Sequence, residues 1–253
     1  MKRISIFVYS LICYALSLAT FLFAFGFFAD LWVPKSLDSV RSAPFVTSLL
    51  IDLGLIGLFA LQHSVMARPG FKRWWTRFVP EPAERSTYLL FSCVALVGLF
   101  VFWRPLGGVV WKVDAPLGQA LLYAAYAFGW GVLLLATFLI NHFDLFGLRQ
   151  GWLALRGRLY RPLPFRTPAL YRYVRHPIYV GWLFTFWATP TMTVAHLVFA
   201  VATTAYILAA IRFEESDLVV AHPEYADYRR EVPMLVPFTK RPHEAASRIV
   251  VGS

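Results

Sequence analysis

Three observations predict an all-α integral membrane protein: the share of apolar residues, the length of the apolar runs, and the placing of Lys and Arg between them. Of 253 residues, 58% are hydrophobic and 15% are charged, and the mean hydropathy is +0.58. A soluble domain cannot bury that much apolar side chain. Five runs are long: 4–28, 45–66, 87–103, 117–140 and 193–211. A spanning helix needs about 20 predominantly apolar residues, so these are five expected transmembrane helices. They are helices because a bilayer interior requires backbone hydrogen bonds to close within the segment. They are too long for barrel strands and do not alternate.

A sixth run, 178–189, is too short to cross alone. It stops at Thr189-Pro190-Thr191 and a long run follows, the pattern of a C-terminal helical hairpin. The first run follows Lys2-Arg3 and exceeds a signal-peptide core, with no small-residue cleavage site after it. It is expected to stay as a first helix. The loops then set orientation. Twenty Lys and Arg fall in the N-terminus, loops 67–86 and 141–177, and the segment from 212; only Lys35, Arg41, Arg104 and Lys112 fall on the other side. The positive-inside rule predicts cytoplasmic termini and large loops, in a bacterial inner membrane.

A net charge of +10 in a soluble protein would point to nucleic acid. Here the cations sit in short loops and no nucleic-acid module accompanies them. The bilayer is the expected partner, and nucleic acid is not. Trp74, Trp75, Trp103, Trp111 and Trp152 lie near expected borders and read as interface anchors. Cys13 and Cys93 lie inside apolar runs, outside any CxxC or Cys/His cluster, and read as small buried residues. No internal repeat argues for an inverted-repeat transporter. One domain is expected over 1–242, with a loose tail at 243–253. No oligomeric state is assigned.

The chemistry concentrates in 171–215, where YRYVRHPIYVGW opens the short run and IRFEES closes the next. In a hairpin, His176 and the Glu214-Glu215 pair return to the same membrane border. Charged groups there are costly to bury and mark candidate sites. Pro177 suits a first helical turn. Arg175 and His176 read either as a snorkelling and an interfacial residue or as a polar clamp on a ligand. The Glu pair is expected to end its helix, where it opposes the macrodipole. It reads either as an ordinary ion-pair partner of Arg212, Arg229 or Arg230, or as a carboxylate for a cationic group. Beyond it, Leu218, Tyr225 and Tyr228 are expected on one side of an amphipathic tail helix covering the site. Arg229, Arg230 and Glu231 are expected on the wetter side.

NHFDLFGLRQ closes the fourth long run and places His142, Asp144, Arg149 and Gln150 together. It reads as a polar loop border or as a substrate or proton-handling site. Two possible ligands without a third at matching spacing assign no metal. His63, after Gln62, reads as a packed or a catalytic histidine, and His196 as structural. Gly129, Gly131, Gly54 and Gly57 lie in apolar runs and read as close-packing positions. There is no Walker motif, GxSxG, HExxH, or GxGxxG after a strand, so a nucleotide-like cofactor would be held without a Rossmann domain.

At RHPIYVG, EE and EYADYRREVPMLVP the chain resembles the membrane methyltransferases, over about 171–237. These include isoprenylcysteine carboxyl methyltransferase, the phospholipid methyltransferases and the NnrU-like proteins. In QHSVMARPGFKRWWTRFVPEPAERSTY and NHFDLFGLRQ it is similar to the bacterial methanethiol S-methyltransferases. The resemblance implies S-adenosylmethionine as methyl donor. Tyr173, Arg175, His176, Pro177, Tyr179 and Gly181 would line its site, with Glu214 and Glu215 at its amino-acid end. The implied reaction is in-line methyl transfer to the sulfur of methanethiol, giving dimethyl sulfide and S-adenosylhomocysteine. A thiol reacts as thiolate. His142 or Asp144 is expected to accept its proton, Arg149 to favour the anion, and His63 to stand in reserve. A prenylcysteine or phospholipid methyltransferase, or a non-enzymatic NnrU-like membrane protein, are the alternatives.

Overall fold

The structure is a computed structural model that describes residues 2–41 and 43–239; the expected tail at 243–253 lies outside them. Five helices are long and apolar enough to cross a membrane: α1 (Lys2–Ala29), α2 (Phe45–Ala67), α4 (Glu81–Phe102), α5 (Pro116–Ile140) and α9 (Val194–Ala221). They form an integral membrane bundle. Shorter helices lie between them: α3 (Pro69–Trp75), α6 (His142–Leu145), α7 (Leu148–Leu155), α8 (Pro177–Trp187) and α10 (Tyr225–Glu231).

Helix α4 starts before its apolar run because Pro82 sits at its N-terminus and Glu81 and Glu84 occupy its first turn, both favourable there. Helix α9 continues to Ala221, ten residues beyond the run. The Glu pair therefore lies inside the helix rather than ending it. No proline occurs between Pro190 and Pro223, and Asp217 is tied to Arg68 at the end of α2 at 2.9 Å. The expected single amphipathic tail helix is also corrected. The chain leaves helical geometry at His222, so Leu218 belongs to α9 while Tyr225 and Tyr228 belong to α10. Tyr225 is buried, and Arg229, Arg230 and Glu231 are exposed.

Helices α8 and α9 lie side by side in opposite directions. At the start of α8, His176 meets Glu215 near the end of α9; at the other end, the Phe186 carbonyl meets His196 Nε2 at 3.0 Å. Their connection forms a strand, β2 (Thr191–Thr193), antiparallel to β1 (Val109–Lys112), with Trp111 opposite Met192. These strands of four and three residues are too short for a periodicity to show. They join two loops at the end of the bundle away from His176.

Aromatic rings fill the core. Phe27 and Phe100 centroids lie 4.7 Å apart, and Phe199 packs on Phe28 and Trp103. Trp103 is fully buried, so it is a core residue and not an interface anchor. The close-packing reading holds for Gly129 alone of the four glycines. A Cβ there would meet the Gly181 carbonyl at 2.8 Å, whereas Gly54, Gly57 and Gly131 have nothing within 4 Å. Cys13 and Cys93 are free and buried. His196 is structural, and its partner is Asp38 at 2.9 Å.

Candidate functional site

The site is built where α8, α9 and α10 meet. The backbone entering α8 pairs with the segment leaving α10: Arg175 N–H donates to the Pro233 carbonyl at 2.9 Å and His176 N–H to the Met234 carbonyl at 3.2 Å. This fixes Arg175 and His176 over α9. One carboxylate oxygen of Glu215 then accepts from Arg175 Nε at 2.7 Å, His176 Nε2 at 3.0 Å and the Tyr225 hydroxyl at 3.3 Å. The Arg175 guanidinium also donates to the Arg229 and Val232 carbonyls. Arg175 and Glu215 side chains are 6% and 10% exposed. Buried charges are tolerated only when paired and hydrogen-bonded in this way.

The neighbouring carboxylate behaves differently. One residue along a helix rotates a side chain by about 100°, so Glu214 leaves the seam that Glu215 fills. Its side chain is 44% exposed. It accepts from the Tyr179 hydroxyl at 3.0 Å and lies near enough to act electrostatically on Tyr88, Tyr171 and Tyr206. Burial, then the Glu214 charge, push the Tyr171 phenol up, so it stays protonated at neutral pH. Its carbonyl accepts from the Tyr228 hydroxyl.

Tyr173 is 56% exposed and lies against Phe238. Pro177 is buried at the first turn of α8. Gly181 packs on α5: an added Cβ would meet the Gly129 carbonyl at 2.7 Å.

His142, Asp144 and Arg149 form a second polar corner. Asn141 adopts φ 115° and caps the Asp144 amide. His142 is held by the Tyr14 hydroxyl at 2.9 Å and Thr137 Oγ1 at 2.8 Å, flat against Phe138 with centroids 4.3 Å apart. Burial holds its imidazole below the ordinary value. Asp144 accepts from Arg149 at 2.6 Å, from Tyr160 and from Gln150. His142 and Asp144 thus have separate partners.

His63 lies elsewhere, between α2 and α4. The Tyr88 hydroxyl is 2.8 and 3.0 Å from its ring nitrogens, and Ser92 Oγ is 3.1 Å from Nδ1. Next to it, Ser64 meets the Tyr206 hydroxyl at 3.2 Å. Tyr88, which meets His63, and Tyr206, which meets the adjacent Ser64, both lie within reach of the Glu214 charge. Neither stood out in the sequence, although Tyr206 is eight residues from Glu214 and so shares its helical face.

Five apolar spanning helices with a half-open carboxylate beside a sealed Arg-His-Glu cluster at one end define an integral membrane protein with a candidate polar site. Comparison with known proteins makes the assignment specific. The chain is 56% identical over 239 residues to the methanethiol S-methyltransferase of Crocosphaera subtropica, covering 94% of each chain. It is 50% identical over 242 residues to that of Mycobacterium tuberculosis, covering 95% of this chain and 99% of the relative. The chain belongs to the methanethiol S-methyltransferase family and is a transferase. More distantly, it is 29% identical over 189 residues to nurim of Xenopus laevis, covering 71% of this chain and 66% of the relative. No family model and no solved structure matches it.

Proposed function

We propose that this protein methylates methanethiol to dimethyl sulfide with S-adenosylmethionine, at the cytoplasmic face of a bacterial inner membrane. Membership of the family supports the reaction, and the single structural observation that carries the site is the half-exposed Glu214 carboxylate. When bound, the donor supplies an electrophilic methyl group on a sulfonium. Its ammonium and sulfonium are cationic, and an acceptor-only carboxylate with one phenol partner fits them. Arg175 Nε and Nη1, by contrast, are taken by Glu215 and two carbonyls. Arg175, His176, Glu215 and Tyr225 therefore hold α8, α9 and α10 in register, and Glu214 with Tyr179 meets the ligand. Tyr173, Pro177 and Gly181 shape the surrounding wall.

For the thiol, His63 is the candidate proton acceptor; its ring, like that of His142, is already held by hydroxyls, Tyr88 and Ser92, and what favours it is that Tyr88 lies within reach of the Glu214 charge. His142, Asp144 and Arg149 keep the supporting place that their partners give them. With the donor bound, the thiol proton would pass to His63 while the donor would supply the methyl group to the thiol sulfur. Dimethyl sulfide and S-adenosylhomocysteine leave, and His63 returns its proton to water.

The test supplies purified protein in detergent with S-adenosylmethionine and methanethiol and follows headspace dimethyl sulfide by gas chromatography. Wild type forms product and Glu214→Gln does not. A folded wild type that neither binds the donor nor forms product would overturn the reading. Binding without product would move the substrate to prenyl thiols or lipids.

A further inference from the structure

The far end of the bundle carries charge that methyl transfer leaves unused. Of the four Lys and Arg on that side, Lys112 is paired with Asp114 at 2.9 Å. None of the ion pairs among the described residues engages Lys35, Arg41 or Arg104. Lys35 and Arg104 converge all the same. Lys35 Nζ donates to the Val101 carbonyl at 2.7 Å, three residues before Arg104. Burial, then repulsion by Arg104, hold the Lys35 amine below its ordinary range. Arg41 lies against Gly107, where an added Cβ would be 3.3 Å from its own Cβ.

The negative groups nearby do not cancel this charge. Asp38 is committed to His196 and Thr193, and Asp30 to Ser36. Asp52 is fully buried beneath the pair, with one oxygen on the Arg104 amide at 2.7 Å. It offsets one cation of the three. The Trp103 indole N–H is buried and unpartnered, a donor that a native protein normally satisfies with water or a ligand oxygen, whereas the second Asp52 oxygen, also unpartnered, calls for a donor such as water.

Lys35 and Arg104 rim a cavity of about 340 Å³ whose lining includes Trp103, Val40, Val101 and Phe102. Val40, Val101 and Phe102 are 91%, 58% and 59% exposed. The latter two close the last turn of a membrane-spanning helix, so this face meets lipid. An anion site with an apolar wall at a membrane border has the shape of a phospholipid: phosphate on the cations, acyl chain on the helix. We propose that Lys35 and Arg104 bind the phosphate of an anionic membrane lipid at the end of the bundle opposite the methyl-transfer site, with Val101 and Phe102 against its chain. A free phosphate would use the cations but not the wall.

The test is native mass spectrometry of the full chain released from detergent. Phosphatidylglycerol, phosphatidylcholine and inorganic phosphate are added separately. Wild type is expected to retain phosphatidylglycerol well above phosphatidylcholine. At about fivefold per cation, Lys35→Gln with Arg104→Gln should weaken retention by about 25-fold. Lys112→Gln, which removes a paired far-side cation, should leave it unchanged. If the double variant fails to fold, Lys35→Arg with Arg104→Lys serves instead and should retain the lipid. Equal retention of the two lipids, an unaffected double variant, a conservative swap that loses the lipid, or inorganic phosphate binding as tightly as the lipid would each overturn the proposal.

Discussion

Two polar corners lie at the end of the bundle where α8 begins, and each contains a histidine, a carboxylate and an arginine. Around α8 and α9, Arg175, His176 and Tyr225 converge on one oxygen of Glu215. That leaves the next carboxylate, Glu214, open on its own side. At α6 and α7, His142 is closed by Tyr14 and Thr137, and Asp144 by Arg149, Gln150 and Tyr160. There the internal partners take up both groups. The difference teaches that residue type does not mark a ligand site. What separates the two corners is a charged group held in place while its remaining valence is left unfilled.

The largest effect is expected at the sealed cluster. Arg175→Ala removes the cation from buried Glu215, leaving it only His176 and Tyr225, and should destabilise the protein by about 3 kcal/mol. Thermal unfolding in detergent measures it, and a loss below about 1 kcal/mol would show that Glu215 is not relying on Arg175. Next comes Glu214→Gln, which should leave the unfolding temperature close to wild type. It should weaken S-adenosylmethionine binding by about 10- to 100-fold, since hydrogen bonds to charged groups contribute about 1.5–3 kcal/mol. Unchanged affinity by titration calorimetry would erase the contrast between the corners. Asp144→Asn should cost about 1 kcal/mol or less in stability and leave dimethyl sulfide formation within about twofold of wild type. A total loss of turnover in a folded Asp144→Asn sample would return the catalytic base to that corner.

The smallest effect is a pH dependence at His142. Its folded-state imidazole is held down by burial, while the unfolded chain keeps the ordinary value of about 6.5. The unfolded state therefore binds more protons below that value. The contribution is fully present above pH 6.5 and is lost as pH falls from there toward the folded value. Wild type should lose more stability than His142→Gln between pH 7 and pH 5. Parallel profiles would mean that His142 is not buried neutral.

The five spanning helices were legible because length and hydropathy act locally, and the lipid environment removes other options for the backbone. The gathering of RHP and the Glu pair was legible from a short run, a proline and a long run. The far end of α9 was not: apolar runs stop where polarity begins, but a helix continues until its backbone is interrupted. Nor was the burial of Trp103, because a border tryptophan and a core tryptophan look alike until Phe27 and Phe199 are seen around it. His63 was visible as a candidate, but Tyr88 and Tyr206 were hidden among many aromatic residues.

By itself, then, the sequence determined a helical membrane bundle, its charge asymmetry and the residue types available for chemistry, all properties of contiguous segments. The tertiary structure decided which of two adjacent glutamates is sealed and which is open, and that His176 meets the sealed one at 3.0 Å and the open one at 3.9 Å. It also decided that Asp38 reaches His196 from a far part of the chain. These depend on a one-residue rotation about a helix axis and on contacts between distant segments, and neither is written in any local pattern.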